Sequence, residues 1–233
     1  MSIEAGRHPR WRMIAFVTGV FLLWVAVASP LAALDHRLLI AHMVQHLLLM
    51  TVVAPLILLG APAVLGVLGP IVRFPRVQSV GGILTHPVFC WIAGTATVIG
   101  WHVPAVFDQG MRSPLWHAAE HACFFAAGLL FWWPVIQPWP KLAEWPRWSL
   151  PLYLFLATLP CDALSAFLTF CGRVVYPHYL YGQRLFDISP LADQECAGAL
   201  MWVWVTFAYL APAAVITVQL LSPERGTLNA EAI

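Results

Sequence analysis

Six long apolar runs, separated by short segments rich in proline and charge, constrain this chain more than any other feature. A helix needs about 20 mainly apolar residues to cross the hydrocarbon core of a bilayer. The runs fall at 13–29, 38–59, 84–101, 115–136, 149–171 and 195–221, and the joins between them carry breakers and charges, as in "LGPIVRFPRVQ" and "QPWPKLAEWPRW". The sequence therefore reads as one integral membrane domain, 1–233, all-α, a polytopic bundle of about six transmembrane helices. Composition agrees: only 10% of residues are charged, against about 25% in soluble domains. The formal net charge of +1 leaves no electrostatic footprint for nucleic acid. Lipid is the surrounding phase, and twelve tryptophans supply packing and interfacial anchors. Pro55, Pro160 and Pro212 fall inside runs, where each removes a backbone donor and predicts a kink.

Orientation follows from counting Lys and Arg on alternating sides. One side receives Arg7, Arg10, Arg12, Arg73, Arg76, Lys141, Arg147 and Arg225; the other receives Arg37, Arg112, Arg173 and Arg184. The richer side is expected to be cytoplasmic, with both termini inside and runs two, four and six descending from the outer face. The first run also carries signal-peptide marks, a basic start followed by "VASPLAALD", but is read as an uncleaved helix. In this orientation seven of the nine histidines (36, 42, 46, 102, 117, 121 and 178) gather at the outer ends, and only His8 and His86 lie toward the cytoplasm.

Run two opens "HMVQHLLLM" and run four opens "HAAEHACFF". Both hold His-x-x-[Gln/Glu]-His, a hint of an internal repeat. A spacing of four places two imidazoles on one helix face, one turn apart. Ionisable groups at membrane depth are costly, so two such pairs in one leaflet point to a metal or cofactor site. His42, His46, His117 and His121 are the expected ligands, with His102 in "GWHVPAVFD" as a contribution from a third helix. Gln45, Glu120, Asp193, Gln194, Cys196 and Met201 are candidates to orient the imidazoles or to serve as alternative ligands. Asp162, with Ser165 and Thr169 on one stripe, fits helix–helix hydrogen bonding as well as a direct role. His36, His86 and His178 read as interfacial, and Asp193 also suits a helix start. The five cysteines form no Cys-x-x-Cys or Cys-x-Cys pair and do not read as a disulfide framework. Cys90 and Cys123 read as apolar filler.

Imidazole suits copper, zinc, iron and nickel, and nearby soft donors (Cys171, Cys196 or Met201) would favour copper(I). Three readings compete with a copper carrier. A zinc hydrolase would use His117 and His121 as ligands and Glu120 as base, although the order His-Glu-x-x-His is absent. A b-type haem protein would take axial histidines from runs two and four. An assembly scaffold would bind no metal.

The segments "HMVQHLLLMTVVAPLILLGAP", "HAAEHACFFAAGLLFWWPVI" and "DQECAGALMWVW", in this order and spacing, resemble the CtaG-type assembly factors of caa3-type cytochrome c oxidase over residues 38 to 220. The resemblance implies a bacterial plasma-membrane protein that helps insert copper into the oxidase on the outer side of the membrane. It also implies the oxidase catalytic subunit and other assembly factors as partners. Beside it, the residues read as a carrier rather than an enzyme, since holding and passing an ion needs no nucleophile or general base. His42, His46, His117, His121 and the Asp193-Gln194 segment are its characteristic polar positions. Many members look longer, with about seven spans against six here.

Overall fold

The computed structural model describes residues 10–65, 81–136, 145–181 and 186–222. All regular structure among them is helical: α1 (Arg10–Ala28), a 3-10 turn (Pro30–Ala33), α2 (Leu39–Leu48), a π turn (Leu49–Val53), α3 (Ala54–Leu65), α4 (Pro87–Trp101), α5 (Pro104–Arg112), α6 (Pro114–Ile136), α7 (Ser149–Phe170), a 3-10 turn (Pro177–Leu180) and α8 (Pro190–Leu221). Five helices are long and apolar enough to cross a membrane. A sixth crossing is counted if α4 and α5, bent by 74°, form one broken span. The expected polytopic helical bundle is therefore present. Apolar side chains such as Ile14, Phe21, Phe155 and Phe207 stand at least half exposed on its outside, as a lipid-facing wall requires. Arg7, Arg73, Arg76, Lys141, Arg184 and Arg225, all used in the orientation count, and His8 lie outside the described residues.

The helices pair as α7 on α8, α1 on α3 and α4 on α6, with α2 against α8. Prolines set the breaks. Helix α1 stops at Ala28 because Pro30 has no N–H to bond the carbonyl of Ala26, four residues back. That orphan is answered from outside: Gln45 Nε2 donates to Ala26 O at 3.0 Å. Run two is one span with a π turn inside it. The Ala54 N–H bonds Leu49 O, five residues back, and the next donor would be Pro55, which has none. Met50 O is therefore free of its helix, and Trp132 Nε1 of α6 donates to it at 2.9 Å. A Cβ on Gly128 would stand 2.9 Å from Met50 Cα and O, so glycine is what lets α6 touch the π turn. Single π turns inside α-helices occur often at functional sites.

Run three ends at Trp101, as expected, but α5 was not foreseen. Val103 adopts the extended conformation demanded before Pro104, and the chain turns sharply there. Helix α5 then lies across the end of the bundle, placing Phe107 edge-on to His42 at 4.9 Å between ring centroids.

Candidate functional site

His42 and His46 sit one turn apart on α2, and Glu120 faces them from α6. One carboxylate oxygen, Oε1, lies 3.4 Å from His42 Nε2 and 3.5 Å from His46 Nε2. All three residues are buried, at 0%, 4% and 0% exposure. Neither approach is aligned as a hydrogen bond: both nitrogens of each imidazole and both carboxylate oxygens find no partner in the protein. Buried polar groups left unmatched are unfavourable by about 1–3 kcal/mol each. The three ligand atoms lie within 4.8 Å of one another. Donors about 2.0 Å from one ion stand about 3.3–3.5 Å apart in tetrahedral or trigonal geometry. The site thus fits a cation: bare acceptors, a carboxylate to offset positive charge, and the right separations.

The second histidine pair adjoins the first. The His117 ring stacks over His42 at 5.6 Å, His121 lies 5.6 Å from His46, and His117 and His121 are 4.3 Å apart. The Nε2 atoms of both have no hydrogen-bond partner. His46 also stacks on Phe124 at 3.9 Å. The four expected imidazoles therefore share one end of the bundle and one continuous cluster.

His102 is buried next to this cluster but not within it. Its Nδ1–H donates to Val98 O at 2.7 Å, which fixes the tautomer and leaves the Nε2 lone pair bare. It lines a cavity of about 20 Å³ with His46, Met43, Met50, Met201 and Cys161. Met201 thus comes near the cluster as expected, and Met43 and Met50 line the same cavity; they stand three residues before and four after His46 in run two, a spacing legible in the sequence.

The remaining candidates hold the frame. Asp193 accepts from the backbone of Leu39 (2.6 Å) and Ile40 (3.1 Å), capping α2 from another helix where Leu38 offers no side-chain cap. Gln194 Oε1 accepts from Val175 N at 2.6 Å, and its Nε2 reaches Leu168 O, Arg173 O and Cys171 Sγ, closing the end of α7. Gln45 ties α2 to α1, so Gln45 and Glu120 do different work despite matching positions in the two motifs. Cys196 is exposed and Asp162 is half-buried on α7, and neither belongs to the groups of close ligand atoms among the described residues. Thr169 donates within its own helix to Ser165 O.

Asp35 was missed, and His36 was read as interfacial. Asp35 is 1% exposed and lies 3.4 Å from His117 Nε2 and 3.8 Å from His36 Nε2. The signal available was the adjacent acid and histidine in "LDHRLL", just before the first motif. His178 donates to His36 O at 3.2 Å. His86, at the opposite end of α4, accepts from Val88 N at the start of that helix.

Among curated proteins, an uncharacterized protein of Mycobacterium bovis is 25% identical over 211 residues, covering 83% of this chain and 32% of that protein. One of Mycobacterium tuberculosis gives the same figures, and one of Mycobacterium leprae is 24% identical over the same shares. The chain thus spans about a third of the length of these relatives. No solved structure matches it. The model of the cytochrome c oxidase caa3 assembly factor family matches residues 2–222, nearly the whole chain, so a buried histidine–glutamate cluster at one end of a membrane bundle is here a feature of a protein that belongs to that family.

Proposed function

We propose that this assembly factor binds copper at His42, His46 and Glu120, near the outer face of a bacterial plasma membrane, and passes it to the oxidase catalytic subunit. The observation that carries the reading is the trio of buried, unpartnered ligand atoms at separations suited to one ion. His117 and His121 supply exchangeable ligands: both are less buried than His42 and both adjoin the trio. Firm retention by three donors with a replaceable fourth is what a carrier needs, and no nucleophile or general base is required. The thioethers of Met43, Met50 and Met201 beside His46 favour copper(I).

The zinc-hydrolase alternative places Glu120 as a base acting on a metal-bound water. Here the carboxylate sits between two imidazoles at ligand distance, which suits a ligand better than a base. A haem between α2 and α6 would need the space that Phe107 and Phe124 fill against His42 and His46.

Copper is measured per chain on detergent-purified protein, beside the variant in which His42, His46, His117 and His121 are all alanine. One ion in the first and none in the second is the expected outcome. Equal copper in both would reject the site, and zinc with lipid hydrolysis would favour the enzyme.

A further inference from the structure

Asp35 is the buried carboxyl group that the copper trio leaves unexplained. Its carboxylate is 1% exposed, and Oδ1 has no hydrogen-bond partner in the protein. Its neighbours are imidazoles: His117 Nε2 is 3.4 Å from Oδ2, and His36 Nε2 is 3.8 Å from Oδ1. One ligand atom from each of the three falls within a mutual 4.8 Å. The fold holds this corner by its backbone, not by these side chains. Tyr179 donates its hydroxyl to Asp35 O at 2.7 Å, and His178 donates to His36 O. The side chains of Asp35 and His36 are therefore positioned without being needed for the positioning.

Access differs between the two groups. Asp35, His36, His117 and His121 line a cleft of about 440 Å³ that runs between α1 and α6. The His36 side chain is 49% exposed, whereas that of His42 is fully buried. His117 stands between the groups, 5.1 Å from the His36 ring and 5.6 Å from the His42 ring.

We propose that Asp35, His36 and His117 form an outer cation site that receives the copper ion from water and hands it inward to His42, His46 and Glu120, with His117 as the shared ligand. This rests on the copper reading above. The transfer is ligand exchange only: bonds to Asp35 and His36 break as bonds to His42, His46 and Glu120 form, and the ion's oxidation state does not change. Sharing His117 means one ion per chain, held at one station or the other.

The test titrates copper(I), supplied as a chelator complex, into the purified full chain. The variant with His42→Ala and His46→Ala should keep one ion, held about 10- to 100-fold more weakly, the scale on which individual metal-site residues act. Adding Asp35→Asn and His36→Ala to it should remove that ion. Asp35→Asn with His36→Ala alone should keep one ion at equilibrium but load it several-fold more slowly. His36→Ala by itself, at a half-exposed side chain, guards against misfolding and should also slow loading. If the His42/His46 variant binds nothing while the wild type binds one ion, there is no outer site. Loading of the Asp35/His36 variants at the wild-type rate would remove its role as entry. A wild type that binds no copper would instead overturn the preceding proposal, and this one with it.

Discussion

At the scale of single residues, a polar side chain in a membrane helix has two common uses: to hold a ligand, or to satisfy a carbonyl or N–H that the backbone has orphaned. The histidine pairs and Glu120 were legible because a spacing of three and four fixes a shared face whatever the tertiary packing. Gln45, Asp193 and Gln194 were not, because their partners are backbone groups remote in sequence; counting four residues back from Pro30 would have flagged Ala26 O as needing a donor. Asp35 was not singled out, because its buried partner His117 is remote in sequence. Two predictions follow at this scale. Glu120→Gln preserves shape while removing the charge, and should weaken copper binding at least about 10-fold in a chelator competition. Asp193→Ala should leave copper stoichiometry at one per chain and lower the thermal midpoint in detergent, since losing a cap is worth about 1 kcal/mol. Loss of copper with unchanged stability would make Asp193 a ligand instead.

Individual elements test whether the breaks in the helices matter. The runs were read nearly at their final bounds because hydropathy and proline positions mark them directly. Helix α5 was not, since nine residues of mixed polarity carry no membrane signal, and the π turn was read only as a proline kink. Both features shape the site. A Cβ on Gly110 of α5 would stand 3.0 Å from Glu120 Oε2, so Gly110→Val should displace the carboxylate and reduce copper affinity while the bundle stays folded, as circular dichroism beside chelator titration would report. At the π turn, Trp132→Phe strands Met50 O in a dry interior. The expected cost is about 1–3 kcal/mol, read as a lower midpoint of thermal unfolding without loss of copper stoichiometry.

Across the whole molecule, the asymmetry of histidine is the dominant pattern. Among the described residues, seven histidines lie at the end of the bundle where α1 and α7 finish and α2, α6 and α8 begin, and His86 lies at the other. The bundle architecture and this gathering could be read from the sequence; which face of the membrane it meets rests on the charge count alone. Tyr181 is 89% exposed at the cluster end. In a chain whose five cysteines are replaced, Tyr181→Cys should react with a membrane-impermeant maleimide added outside intact cells. Reaction only in inverted vesicles would put the cluster on the cytoplasmic side.

The π turn holds one more lesson. An additional residue within a turn rotates everything after it by about 100°, so α2 can aim its imidazoles inward while α3 turns Gly60 toward Phe16 of α1. Deleting a single residue between Leu49 and Val53 would close the wide turn, although Pro55 would still leave one carbonyl without a donor. The histidines upstream would keep their heading, but the face gripping the first helix would swing away. Such a chain should still load copper while shedding α1 to protease, separating two jobs that a single span now performs together.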